Sequence, residues 1–273
     1  MKTLTVGEIV IGAEQLVFIA GPCVIESRDL VLRTAETIQA IADELNVPII
    51  FKSSYLKDNR SSLSSPAGPG MQEGLKILAE VRQQCGLAVT TDIHSAEEAK
   101  VAATVVDLLQ VPAFLCRQTS LLVAAAQTGV PVNVKKGQFI SPAEMVHVIK
   151  KLEEANAAGI LLTERGTFFG YNRLVNDFVG LADLLELGRP VCFDATHSTQ
   201  LPGLGPQSGG RPERAPTLAR AAVVTGVHAL FIETHPDCEN ALCDAATMLP
   251  LQQLRPLLRQ LRDLHDFMRQ SMD

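Results

Sequence analysis

The chain has 273 residues, 47% of them hydrophobic and 20% charged, enough to bury a sizeable core. Its net charge of −6, with no basic stripe, argues against nucleic acid as a partner but leaves room for small anions held by a few clustered lysines and arginines. No apolar run approaches the roughly 18–20 residues that span a bilayer, no signal-like segment opens the chain, and six scattered cysteines suit the reduced thiols of a cytoplasmic protein.

In chain order, Leu4–Ile11 ("LTVGEIVI") alternates around Gly7-Glu8 and predicts a small hairpin within an N-terminal extension, residues 1–14. Short apolar or β-branched runs then recur near 17–22, 48–53, 88–93, 106–111, 131–136, 159–165, 190–196 and 229–234. Each has the length of a strand buried on both faces. Helix-length segments separate them. In Leu30–Leu45 the residues Leu32, Ala35, Ile38, Ile41, Ala42 and Leu45 fall at helical spacing, and Ser95 and Ser141 read as N-caps, the latter followed by Pro142 and Glu144. Eight strands alternating with helices predict an α/β fold, a (β/α)8 TIM barrel. A doubly wound open sheet is the competing architecture, but no Gly-rich phosphate loop follows the first strand. The Pro/Gly-rich stretch Leu201–Pro216 falls after the seventh strand, where a barrel carries an active-site loop, and no linker divides the chain, so a single domain over 1–273 is expected.

In such a barrel the C-terminal strand ends form the active site. Here the ends carry Cys23, Lys52-Ser53-Ser54, Asp92 with His94, Gln110, Lys135-Lys136, Glu164-Arg165, Asp194 with His197, and Glu233 with His235. Lys52, Lys57, Arg60, Arg117, Lys135 and Arg165 are donors suited to phosphate and carboxylate, although any one of them could be ordinary surface charge. Cys23, His197, Glu233 and Asp244 offer a soft sulfur, an imidazole and two carboxylates, a mix suited to a first-row divalent metal. Each also has an ordinary role as a packed thiol, a core histidine or a loop residue, and residue chemistry alone leaves both readings open.

Seven stretches carry a resemblance: "AGPCVIES", "FKSSYLKDNRSS", "PAFLCRQTSLL", "VNVKKGQF", "LTERGTFFGYNRLVND", "FDATHSTQLPG" and "LFIETHPD". Spread in order over nearly the whole chain, they make it resemble the 3-deoxy-D-manno-octulosonate 8-phosphate synthases, which serve lipopolysaccharide sugar biosynthesis. The segment Lys57–Ser62 separates it from the seven-carbon-sugar synthases. The resemblance implies an enzyme that condenses phosphoenolpyruvate with arabinose 5-phosphate. It also implies the metal-dependent branch, since Cys23 stands where the other branch has Asn. Cys23, His197, Glu233 and Asp244 would then hold a divalent zinc, iron or manganese ion.

By the same resemblance, Lys52, Ser54 and Lys57 hold the phosphoenolpyruvate carboxylate, and Lys135, Arg165 and the backbone near Ala113 hold its phosphate. Asn59, Arg60 and Ser61 match the sugar-phosphate end, and Gln110 joins the substrate-binding set. Arg117 matches a residue that reaches a neighbouring subunit's site, implying a homo-oligomer, a tetramer. Asp92, His197 and Lys57 are the candidate catalytic residues, the first two as proton carriers. Three rivals remain: a Schiff-base aldolase using Lys52 or Lys135, a non-catalytic sugar-phosphate-binding barrel, and a seven-carbon-sugar synthase that takes erythrose 4-phosphate.

Overall fold

The computed structural model describes residues 2–60, 65–202 and 209–271. A hairpin of β1 (Leu4–Val6) and β2 (Ile9–Ile11) comes first, in antiparallel register with Leu4 opposite Ile11. The alternation then runs β3 (Val17–Gly21), α1 (Arg28–Leu45), β4 (Ile49–Lys52), α2 (Met71–Cys85), β5 (Ala88–Asp92), α3 (Ala96–Ala102), β6 (Leu108–Val111) and α4 (Thr119–Ala126). It continues with β7 (Val132–Lys135), α5 (Met145–Glu154), β8 (Ile160–Glu164), α6 (Phe178–Glu186) and β9 (Val191–Asp194). A short antiparallel pair, β10 (Gln200–Leu201) and β11 (Gly209–Gly210), interrupts before α7 (Ala215–Thr225). The chain closes with β12 (Ala229–His235), β13 (Leu249–Pro250) and α8 (Leu251–Gln270).

Strands β3 to β9 pair in sequence order, all parallel, and β12 pairs with both β9 and β3. The ring is therefore closed, a (β/α)8 barrel as the run spacing predicts, and the open-sheet alternative is excluded. The cap signals act as expected: Ser27 Oγ accepts the Leu30 N–H at the start of α1, and Asn46 ends that helix at φ +50°. Ser95 Oγ accepts the Glu98 N–H. The Ser141-Pro142 signal opens a 3-10 turn that leads into α5, with Glu144 accepting the Ser141 N–H at 2.8 Å.

Strand alternation divides the core. Phe18, Ala20, Ile49 and Phe51 point outward to the helices, while Val17, Ile19, Ile50, Leu108, Leu161 and Phe231 fill the barrel. Leu4, Val6 and Ile11 of the hairpin belong to that inner cluster, so the hairpin plugs the N-terminal end of the barrel. Inside the barrel the opposite end is polar. Lys52, Asp92, Gln110, Asn133, Lys135, Asp194 and Glu233 are all buried there. Gly21 brings β3 and β4 close at this end, since a Cβ at its φ of +154° would overlap the Lys52 carbonyl oxygen. Part of the predicted loop 201–216 lies outside the described residues; what is described is the β10–β11 pair and the turn into α7. Among the described residues no helix is long and apolar enough to cross a membrane.

Candidate active site

Cations line the mouth at the strand ends. Lys52, 1% exposed at the end of β4, donates to Glu233 Oε1 (2.9 Å) and the Cys23 carbonyl (3.1 Å) and lies 3.5 Å from Asp92 Oδ2. Burial alone would lower its pKa, but Glu233 and Asp92 outweigh both that and the repulsion from Lys57, so it is raised. Such an ammonium is a poor amine nucleophile, which weighs against the Schiff-base reading at Lys52. Lys135 donates to Asp194 Oδ2 (2.6 Å) and sits 3.7 Å from the centroid of the Phe231 ring. Lys57 reaches to 4.0 Å from Glu233 Oε1. Arg165 is 5% exposed and donates from Nη2 to Gln200 Oε1 (2.6 Å), while Nη1 is buried without a hydrogen-bond partner. Desolvation lowers its pKa despite Asp194 and Glu164 nearby. A buried guanidinium edge with an unused donor is suited to an oxyanion.

The carboxylates are held just as firmly. Asp92 accepts from Ser54 Oγ (2.5 Å) and Gln110 Nε2 (2.7 Å), and the chain continues through Asn133 to Thr163. These bonds cross from β5 to β8 and fix which way each amide faces. Burial would raise the Asp92 pKa, but Lys52, Lys57 and Lys135 together hold it well below the usual carboxylate range. Asp194 accepts the His197 N–H (2.8 Å) and lies 2.7 Å from His197 Nδ1. That contact assigns the ring proton to Nδ1 and leaves the Nε2 lone pair facing Glu233 Oε2 (3.6 Å) and Asp244 Oδ2 (3.9 Å).

A third group gathers around Asp244, on the loop between β12 and β13. The Cys23 thiol donates to Asp244 Oδ2 at 2.9 Å. Two sets of donor atoms, Cys23–Cys243–Asp244 and His197–Glu233–Asp244, each lie within 4.8 Å of one another. Burial, the Cys243 thiol and the Asp244 and Glu233 carboxylates all push the Cys23 thiol well above its ordinary value. Burial opposes the depression of Asp244, yet His197, Lys57 and the Cys23 thiol bring it down to about 2. Glu233 Oε2 is buried without a hydrogen-bond partner. The two triads share Asp244, with the Cys23 and Cys243 thiols on one side of it and the His197 lone pair and the unpaired Glu233 oxygen on the other, donor types that suit a divalent cation.

The remaining expected residues scatter more widely. Ala113 is buried beyond β6, and Lys136 points away from Lys135, bracing the outer loops through Gly137, Ile140, Thr167 and Glu164. Asn59 and Arg117 are exposed, Arg60 donates to the Ser65 carbonyl (2.8 Å), and Ser61 lies outside the described residues. Two participants escaped sequence reasoning: Cys243, whose neighbour Asp244 was singled out, and Gln200, which orients Arg165. Adjacency to a candidate ligand was the only available signal for Cys243.

The DAHP synthetase I family model matches residues 2–270. A protein of Protochlamydia amoebophila named 2-dehydro-3-deoxyphosphooctonate aldolase is 49% identical over 273 residues, covering 99% of each chain. Proteins of the same name from Trichlorobacter lovleyi (51%, 96% of this chain and 97% of its own) and a Cyanothece species (54%, 89% of each) agree. The chain belongs to the 2-dehydro-3-deoxyphosphooctonate aldolases of the DAHP synthetase I family.

In this member of the family, Asp92 makes the mouth's dependence on charge measurable. Its native pKa lies below the unfolded value of about 3.9, so its contribution to stability is complete above that value and is lost as pH falls below it. Asp92→Asn should cost about 3 kcal/mol at pH 7, because Lys52 would lose part of its buried compensation. Urea unfolding from pH 7 to pH 3 should show the gap to wild type shrinking below pH 4. A gap that stays constant would mean that Asp92 is not a paired anion.

Proposed function

We propose that the chain condenses phosphoenolpyruvate with D-arabinose 5-phosphate and water, giving 3-deoxy-D-manno-octulosonate 8-phosphate and inorganic phosphate. Carbon 3 of phosphoenolpyruvate forms the new bond to the sugar's aldehyde carbon. Water adds at carbon 2, and the bond from that carbon to the phosphate-bearing oxygen breaks. Two multiply charged anions must be held side by side. The observation that carries the reading is the buried Arg165 with its unpaired Nη1, in a mouth that also buries Lys52 and Lys135. Relatives about half identical over nearly the full length support the same reaction.

In this reading Lys52, Ser54 and Lys57 take the phosphoenolpyruvate carboxylate, Lys135, Arg165 and the backbone at Ala113 take its phosphate, and Gln110 completes the substrate-binding set. Asn59, Arg60 and Ser61 take the sugar phosphate. Arg117, exposed beyond β6, serves the mouth of a second copy in a homo-oligomer, a tetramer. Asp92, held far below neutral pH, acts as a fixed anion that places Lys52 and Lys57 and can accept a proton only transiently. Cys23, His197, Glu233 and Asp244 would hold a zinc, iron or manganese ion, as in the metal-dependent branch. When bound, such a cation polarises the aldehyde oxygen or makes water more acidic. His197 has Nδ1 tied to Asp194, so Nε2 is its one free ring nitrogen: it would be the ligand atom when a cation is bound and could hold or pass a proton only in the metal-free site.

The direct test offers both aldehydes to the enzyme with phosphoenolpyruvate and follows phosphate release. Arabinose 5-phosphate should be turned over faster than erythrose 4-phosphate, and the reverse order would reassign the substrate. Arg165→Ala should lower kcat/KM for phosphoenolpyruvate about 30- to 1,000-fold by removing charge-assisted bonds to its phosphate. A loss below threefold would take Arg165 out of the site. Exhaustive chelation should abolish turnover and a divalent cation restore it, while Cys23→Ser should weaken metal retention because a hydroxyl is a poorer donor than a thiolate. Full activity in protein shown by elemental analysis to be metal-free would refute the metal reading.

A further inference from the structure

Three of the four proposed ligands are held by the barrel frame. Glu233 lies within β12, where its own N–H donates to Thr196 Oγ1 at 2.7 Å. His197 is fixed at its backbone and its ring by Asp194. Cys23 sits on a turn pinned to the end of β4, with Ser54 N–H donating to the Cys23 carbonyl (3.2 Å) and Ile25 N–H to the Ser54 carbonyl (2.9 Å). Asp244 has no such frame. It stands on the loop between β12 and β13 with a left-handed backbone, φ +50°, and its side chain is 20% exposed. Its carbonyl accepts from Thr247 and Met248, which shapes the turn but anchors it to nothing outside.

One bond does reach outside. Leu242 N–H donates to Glu26 Oε1 at 2.9 Å, across 216 residues of sequence. Among the described residues it is the one hydrogen bond from the backbone of residues 239–246 to an element beyond the loop. Glu26 belongs to the same pinned turn as Cys23. The two segments therefore meet at two points, Cys23 with Asp244 and Glu26 with Leu242, both at 2.9 Å. His235, at the end of β12, backs the carboxylate. Its Nδ1 accepts the Asp237 N–H (3.0 Å), and its Nε2 lies 3.3 Å from Glu26 Oε1.

We infer that Glu26 is a positioning residue for Asp244: by holding the Leu242 N–H it sets where the Asp244 carboxylate stands relative to Cys23, His197 and Glu233. The ligand role of Asp244 rests on the metal reading above; the tether itself does not. The inference separates reach from charge. Glu26→Gln keeps an oxygen at the same reach without the charge. Glu26→Asp keeps the charge but is one methylene too short for Leu242.

Two measurements test it on the full-length protein. In chelator-stripped protein, amide hydrogen exchange across residues 239–246 should be about tenfold faster in Glu26→Asp and near wild type in Glu26→Gln. In Zn²⁺ titrations against a chromophoric chelator, Glu26→Asp should bind about 10- to 100-fold more weakly, with Glu26→Gln within threefold of wild type. In an Asp244→Ala background, Glu26→Asp should add no further loss, because its effect passes through Asp244. Unchanged exchange in Glu26→Asp, or an undiminished loss in the Asp244→Ala background, would overturn the inference. If wild-type protein takes up no Zn²⁺, the metal reading falls, and the exchange comparison still decides for or against the tether.

Discussion

The interaction on which the mouth depends is the buried bond between the Lys52 ammonium and Glu233 Oε1. An unpaired ammonium could not be kept at that depth, since a buried charge costs several kcal/mol unless it is compensated. The bond therefore ties β4 to β12, and through Asp92 and the Cys23 carbonyl it reaches β5 and the turn after β3. Glu233 is divided by it. One oxygen serves the cations, and the other is left unpaired toward His197 and Asp244. A single carboxylate thus joins the lysine cluster of the mouth to the proposed cation site. Two residues earlier on the same face of β12, the Phe231 ring lies near Lys52, Lys135 and His197.

The charge balance explains why a mouth built for anions contains so many carboxylates. Lys52, Lys57, Lys135 and Arg165 would repel one another if they were buried alone. Asp92, Asp194, Glu233 and Asp244 offset them, and all four carboxylates are held below their ordinary values. The resting mouth is close to neutral and fully hydrogen-bonded at most points. An incoming phosphate meets one conspicuously unused donor, Arg165 Nη1, and lysines whose positions are already set. Such preorganisation favours binding because little has to move. The proposed divalent cation would offset negative charge on the side where the carboxylates outnumber the lysines.

Much of this was legible in the sequence because barrel strands are buried on both faces and end in chemistry. The eight apolar runs marked the ring, and the residues just after them marked its mouth. What could not be read was direction and long-range contact. Lys135 and Lys136 are equivalent as letters, yet strand alternation sends one to Asp194 and the other to the outer loops. The hairpin was visible, but its place as the plug of the barrel floor depends on packing against residues far along the chain. Cys243, Gln200 and Glu26 gained their roles from contacts made by loops, for which no periodicity exists. Asn59 was named through resemblance alone, and both it and Arg117 are exposed in the single chain, away from the buried mouth.

Cys23 shows how the surroundings select among the chemistries open to one side chain. A nucleophilic thiol needs a lowered pKa and access, and here burial and two carboxylates drive the pKa the other way. A disulfide needs a bonded partner, and Cys23 is a free thiol that donates its hydrogen to Asp244. Simple packing would not call for a carboxylate at 2.9 Å, since a buried apolar site excludes charge. The cation proposed above would fit this arrangement, because replacing the thiol proton with a dication would turn the same carboxylates from a penalty into partners. The environment that makes the thiol inert as a nucleophile is the one that suits it as a ligand.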